Sequence, residues 1–194
     1  MKKILFSFCL LIVPIFSFGC LNGITKILKN GVLVYEDHRG IVPHGHHFYV
    51  DNYESVIKSL DSLYTKTNDL DYLSDKGYVL VLQHKYSEAL EIYLNIEKLQ
   101  PNRYATASNI GTIYELMGEN KKAHEWISKA IKINPKSHEG SEWLHLKILE
   151  TKMDGLKNLS SDFLLATNFG TESEPKSNLS RKELNFLEQS LYIN

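Results

Sequence analysis

Between residues 52 and 152 the apolar positions recur with the period of a helix rather than of a strand. In "LDYLSDKGYVLVLQ", Leu70, Leu73, Gly77 and Leu80 fall on one face, and in "YSEALEIYLNIEKL" Ala89, Tyr93 and Ile96 do the same. The pattern returns with Ala107, Ile110, Gly111 and Tyr114, then with Ala123, Ile127, Ala130 and Ile131. Each run predicts a short amphipathic helix. Upstream, Val56, Leu60 and Leu63 of "YESVIKSLDSLYTKT" predict a preceding helix. Downstream, Leu144 and Ile148 of "HEGSEWLHLKILETK" predict a following one.

These runs repeat. Pro101 and Pro135 are 135 − 101 = 34 residues apart, and Gly77/Gly111 and Ala89/Ala123 share that offset. A glycine inside a helix costs about 1 kcal/mol relative to alanine, so its recurrence implies a close crossing that compensates. The expected crossings are Gly77 with Ala89 and Gly111 with Ala123. Gln100-Pro101 and Asn134-Pro135 should end the second helix of each pair, because proline lacks the N–H and restricts the residue before it. Gly–Ala–Pro at positions 8, 20 and 32 of a 34-residue unit resembles the tetratricopeptide repeat. The units run over about 70–103 and 104–137, with a partial unit at 138–152 in which His145 stands where the glycine would be. The resemblance implies an all-α fold, a helical-hairpin array of the alpha-alpha superhelix kind. "RYATASNIGTIYELMGENKKAHEWISKAIKINPKSHEGSEWLHLKILETK" with "YEDHRGIVPHGHHF" is also similar to a group of exported bacterial repeat proteins, from which no function carries over.

The resemblance also implies a groove lined by positions 2, 5, 9, 12 and 13 of each first helix. These map to Asp71, Ser74, Tyr78, Val81 and Leu82, then to Ala105, Ser108, Thr112, Glu115 and Leu116. The partial unit adds Glu139, Glu142, Leu146, Leu149 and Glu150. The expected protein-binding residues are Tyr78, Val81, Leu82, Thr112, Glu115, Leu116 and Glu142. No Lys or Arg occupies the mapped positions, so a partner with basic residues beside an apolar anchor fits better than an acidic tail. Tyr86, Tyr93, Tyr114 and Trp126 lie at helical spacing and are expected in the core.

The flanks differ in character. Residues 1–19 read as a signal peptide: Lys2 and Lys3 precede an apolar run, Ile4 to Phe18, too short to span a membrane. Ser17-Phe18-Gly19 before Cys20 resembles a bacterial lipobox, with Phe18 departing from it, so Cys20 is the expected lipidation site. Residues 20–51 form an irregular N-terminal segment in which "NGVLVYEDHRG" permits a short strand. Residues 153–179, rich in Asn, Ser, Thr and Gly, read as a flexible linker, and 180–194 as a C-terminal helix opened by Ser180 three residues before Glu183.

Composition narrows the function. The 194 residues are 43% apolar and 23% charged with a net charge of −1, too apolar for a disordered chain. That near-neutral balance offers no basic surface for nucleic acid. Loss of the leader removes Cys9 and leaves Cys20 alone, so no intramolecular disulfide would remain. Chemistry has one candidate, the cluster Asp37, His38, His44, His46 and His47. Its imidazoles suit zinc or copper, yet Pro43 and Gly45 and the absence of a His-x3-His spacing favour a polar loop. No G-x-S-x-G elbow and no phosphate-cradling glycine motif occurs. The sequence thus points to an exported interaction scaffold of the cell envelope, lipid-anchored or else periplasmic or secreted without an anchor, with no catalytic activity and no cofactor. The alternatives are a metal-binding envelope protein using His44, His46 and His47, or a purely structural envelope component.

Overall fold

The computed structural model of the protein describes residues 25–37, 46–155, 157–174 and 176–193. Three short strands come first, β1 (Thr25–Ile27), β2 (Leu33–Asp37) and β3 (His46–Phe48), paired antiparallel in that order. Eight helices follow: α1 (Tyr53–Thr67), α2 (Leu70–Leu82), α3 (Tyr86–Leu99), α4 (Tyr104–Leu116), α5 (Asn120–Ile133), α6 (Glu142–Met153), α7 (Ser161–Leu165) and α8 (Arg181–Ile193). Successive helices from α1 to α6 pack against one another, so the helical-hairpin array expected from the periodicity is present.

The repeat is visible in the backbone itself. α2 and α4 both have 13 residues and start 104 − 70 = 34 apart; α3 and α5 both have 14 and start 120 − 86 = 34 apart. The residues before the two prolines have nearly the same dihedrals, φ −141°, ψ 87° at Gln100 and φ −139°, ψ 86° at Asn134. Both helices stop where the pyrrolidine ring pushes the preceding residue out of the helical region. His84 and Gly118, again 34 apart, carry the left-handed turn inside each hairpin.

The glycines are where the array is tightest. A Cβ added at Gly77 would lie 2.7 Å from Tyr93 Cε2 and 2.9 Å from Cζ. At Gly111 it would lie 2.6 Å from Ile127 Cδ1, 2.7 Å from Cγ1 and 3.1 Å from the backbone nitrogen. Carbon pairs normally settle at about 3.5–4.0 Å, so neither site has room for a methyl group. Ala89 and Ala123 are fully buried as expected, but the side chains facing the glycines stand one helical turn further on. Tyr93 is anchored as well: its hydroxyl donates to the Ser74 carbonyl at 2.7 Å and accepts from Asn109 Nδ2 at 3.0 Å. It therefore ties the first hairpin to the helix that opens the second.

One apolar cluster, Leu73, Leu80, Val81, Ala89, Tyr93, Ile96, Ile110 and Ile113, runs through α2, α3 and α4, and Tyr86, Tyr114 and Trp126 pack against it. A smaller one joins Ala123, Ile127 and Leu149. Leu149, mapped to the groove in sequence, is thus core. The cause is a register break after α5. Asn102 is left-handed at φ 62°, but its equivalent Lys136 has φ −99°, and the left-handed residues come instead at His138, Glu139 and Gly140. α6 consequently begins at Glu142 rather than at 104 + 34 = 138.

The flanks fold more than their composition indicates. Within 20–51, the described part is the three-stranded sheet rather than an irregular segment. Leu28, Val34 and Tyr35 sink from it into a third cluster with Val56, Leu60, Tyr78 and Val79. Within 153–179, α7 lays Phe163, Leu164 and Leu165 half-buried along α6. The capping box of the C-terminal helix forms: Ser180 N–H donates to Glu183 Oε2 at 2.7 Å and Glu183 N–H to Ser180 Oγ at 3.4 Å. α8 docks back on α6 through Trp143 stacked on Phe186, ring centroids 6.4 Å apart.

Candidate functional site

The seven groove residues do not form one open face. At the first unit, Tyr78 is 2% exposed and Val81 8%, and Leu82 packs under the sheet. At the partial unit, Glu142 is buried; it accepts hydrogen bonds from Tyr104 Oη and Ser137 Oγ, both at 2.7 Å. Thr112 and Glu115 are half-buried, and Leu116 is 45% exposed. Leu116 and its neighbour Met117, with Leu99 at the end of α3, are the exposed large apolar side chains in the middle of the array.

The acidic character inferred from the mapped positions is largely neutralised from elsewhere. Glu115 Oε2 meets His145 Nε2 at 2.6 Å, and Glu115 Oε1 accepts from Lys152 Nζ. Burial pushes the Glu115 carboxyl up, but the hydrogen bonds from His145 and Lys152 outweigh it and hold the pKa at about 2. Glu150 is paired with Lys147 at 2.8 Å and approached by His124 at 3.4 Å, and the Lys147 hydrogen bond leads in holding it below its ordinary range. His138 sits 3.9 Å from Glu142; burial lowers its pKa against the pull of Glu142, and His145 lowers it further. These counter-ions lie at positions that the groove map does not include. Lys147 and His138 are three and four residues from their acids, whereas His145, Lys152 and His124 meet theirs only across helices, where α6 packs into the array.

A denser ionic cluster sits at the N-terminal end of α2. Asp69 Oδ1 caps that helix by accepting from Asp71 N–H at 3.0 Å. Lys29, from the β1–β2 turn, reaches Asp69 and donates to Asp71 Oδ2 at 2.9 Å, while its backbone N–H donates to Asp75 Oδ2 at 2.5 Å. Arg103, before α4, binds the other oxygen of Asp71. Lys26 Nζ lies 3.6 Å from Asp75 Oδ1, both side chains almost fully buried, and 4.9 Å from the centre of the Tyr78 ring. Burial works against the charge of Lys29, but its bonds to Asp69 and Asp71 raise its pKa overall. Burial likewise opposes the charge of Asp71, and Lys29 and Arg103 overcome it, lowering the pKa. At Asp75 burial prevails over Lys26 and the Lys29 N–H, and the pKa is raised. Sequence reasoning passed over this cluster, although Asp69, Asp71 and Asp75 within seven residues were a signal.

The remaining candidates lie at the edge of what is described. Cys20, His38 and His44 lie outside the described residues, and of His46 the strand pairing with Asp37 is described. His47 is exposed on β3. Among the described residues no group of three or more His, Cys, Asp or Glu side chains is placed to hold a metal ion, and no helix is long and apolar enough to cross a membrane.

No protein-family model matches the chain. The curated proteins likewise contain no match to it.

Proposed function

We propose that the protein is a tetratricopeptide-like scaffold that binds a protein or peptide partner and catalyses no reaction. The observation that carries this reading is the 34-residue repetition of helix bounds and proline-linked dihedrals across α2–α5. Stacked helical hairpins bury one face in each other and leave an extended surface, a geometry suited to recognition. Several charged side chains of that surface are engaged in pairs, as Glu115 is with His145 and Lys152. Such pairs set selectivity and orientation, and exposed apolar side chains such as Leu116 supply affinity. Export and tethering through an acylated Cys20 complete the proposal, supported by the apolar run before Gly19-Cys20. The site of action would then be the cell envelope.

The test is capture from detergent-solubilised envelope by the immobilised full chain, beside a Leu116→Glu variant. Leu116 lies at the exposed end of α4, so the variant should keep its fold. A partner retained by the native chain and lost by the variant supports the reading. If every captured species is recovered equally by both, the middle of the array is not the binding surface.

A further inference from the structure

The sheet is attached to the array in a particular way. Its strands pair closely with one another, whereas they meet α1 and α2 through side chains rather than by close backbone packing. Two lysines three residues apart, Lys26 and Lys29, bracket Ile27 and Leu28. Ile27 is 55% exposed and Leu28 is buried against Val56, Leu60, Tyr78 and Val79. Each lysine meets acids on or before α2: Lys26 faces Asp75, and Lys29 faces Asp69 and Asp71. The surface beneath is therefore acidic at three points and apolar between them. Asp71 and Tyr78 are positions 2 and 9 of the first unit, so the sheet lies over the start of the groove.

We propose that this end of the groove is a recognition surface for an extended segment in which two basic residues bracket an aliphatic pair, and that residues 25–37 are its resident, displaceable occupant. The inference rests on the binding-scaffold reading and adds to it the chemistry of the partner and a means of control. Charge complementarity selects the segment. Three carboxylates disfavour an acidic or neutral strand, and the apolar floor between them requires an aliphatic side chain at the position of Leu28. The sheet is joined to the helices by side chains and contributes none of the buried members of the Leu73–Ile113 cluster, so its release would expose Tyr78 and Val79 while that cluster stays packed. A partner competes with the sheet, and its apparent affinity is reduced by the fraction of molecules that are closed.

The experiment uses the full chain and a fluorescein-labelled peptide, TKILKNGVLVYED, identical to residues 25–37. In the Lys26→Glu/Lys29→Glu variant the sheet is repelled by α2. Amides of Leu28, Val34 and Tyr35 should lose protection from hydrogen exchange while far-UV circular dichroism keeps its helical signal. The peptide should bind this variant at least about ten-fold more tightly than the native chain, and a peptide with both lysines changed to glutamate should not bind. Unchanged protection in the variant, or an opened variant that ignores the peptide, overturns the proposal. If the double reversal unfolds the helices, Lys29→Gln, which leaves Lys26 beside Asp75, is judged by the same two readouts. Envelope capture that depends on Leu116 can succeed while this peptide fails, so the two readings fall separately.

Discussion

Gly111→Ala is the sharpest probe of the hairpin crossing. On an exposed helix the change would stabilise by about 1 kcal/mol, because alanine is the better helix former. Here the new methyl would stand 2.6 and 2.7 Å from Ile127 Cδ1 and Cγ1 and 3.1 Å from the backbone nitrogen. Rotating the end of Ile127 clears the first contact, the second clears only if this β-branched residue leaves its favoured helical χ1, and the third requires α5 to shift. Overpacking of this kind costs about 1–3 kcal/mol, so after the propensity gain a net loss on the order of 1 kcal/mol is expected. For a domain of this size that lowers the melting temperature by about 2–4 °C. Ile127→Ala alone should cost about 2–5 kcal/mol by opening a void. Together the two changes should cost less than their sum by about 1–3 kcal/mol, because the added methyl enters the space that Ile127 vacates. Urea denaturation of the four proteins of the cycle, followed by far-UV circular dichroism, measures this coupling. A Gly111→Ala protein more stable than the parent, or a cycle additive within about 0.5 kcal/mol, would refute the close crossing.

Three further outcomes are expected. Asp75→Ala should destabilise by on the order of 3–5 kcal/mol by stranding the buried Lys26, whereas Lys26→Met with Asp75→Asn, which keeps an acceptor for the Lys29 N–H, should regain most of it in urea unfolding. The depressed pKa of Glu115 stabilises the fold above its ordinary value of 4.5, and this is lost as pH falls toward about 2. Glu115→Gln should therefore flatten the acid limb of the stability–pH curve by on the order of 2 kcal/mol, the exposure of Lys152 being allowed for. Mass spectrometry of the mature protein should find an acylated Cys20, and Cys20→Ala should release it from membranes; unmodified protein beginning at Cys20 would defeat the lipid-anchor proposal.

What the sequence made legible follows from which interactions are local. The 34-residue spacing could be read because glycine, alanine and proline each answer a backbone requirement at a fixed place in the hairpin. The facing partners of the glycines were placed one turn early, since Tyr93 and Ile127 look like ordinary core residues until the helices are packed. α6 escaped the repeat because its delay is caused by His138 and Glu139 in the left-handed region, where only Gly140 announces such a conformation. The sheet was legible only as the extended stretch around Val32 and Val34, because strands of three residues leave no alternation to detect. The ionic pairs of Glu115 and Asp71 were invisible for a related reason. Their partners stand 30 or more residues away and belong to no shared pattern.

The left-handed turn at residues 138–140 has a consequence for how the chain can change length. Between Arg103 and Tyr104 the backbone leaves one unit and enters the next, with the same helix lengths on either side. A duplicated 34-residue segment inserted at that point would meet on both flanks the surfaces its neighbours already offer each other. The stretch from His138 onward does not repeat in this way: the chain turns left-handed there, and α6 starts four residues later than a first helix of the array would. A segment copied from beyond residue 138 would carry that delay into the next unit, whereas one copied from within 70–137 keeps the 34-residue phase. Growth by duplication is thus open to the two units of the array, and a longer descendant would keep the sequence from His138 onward as its last segment.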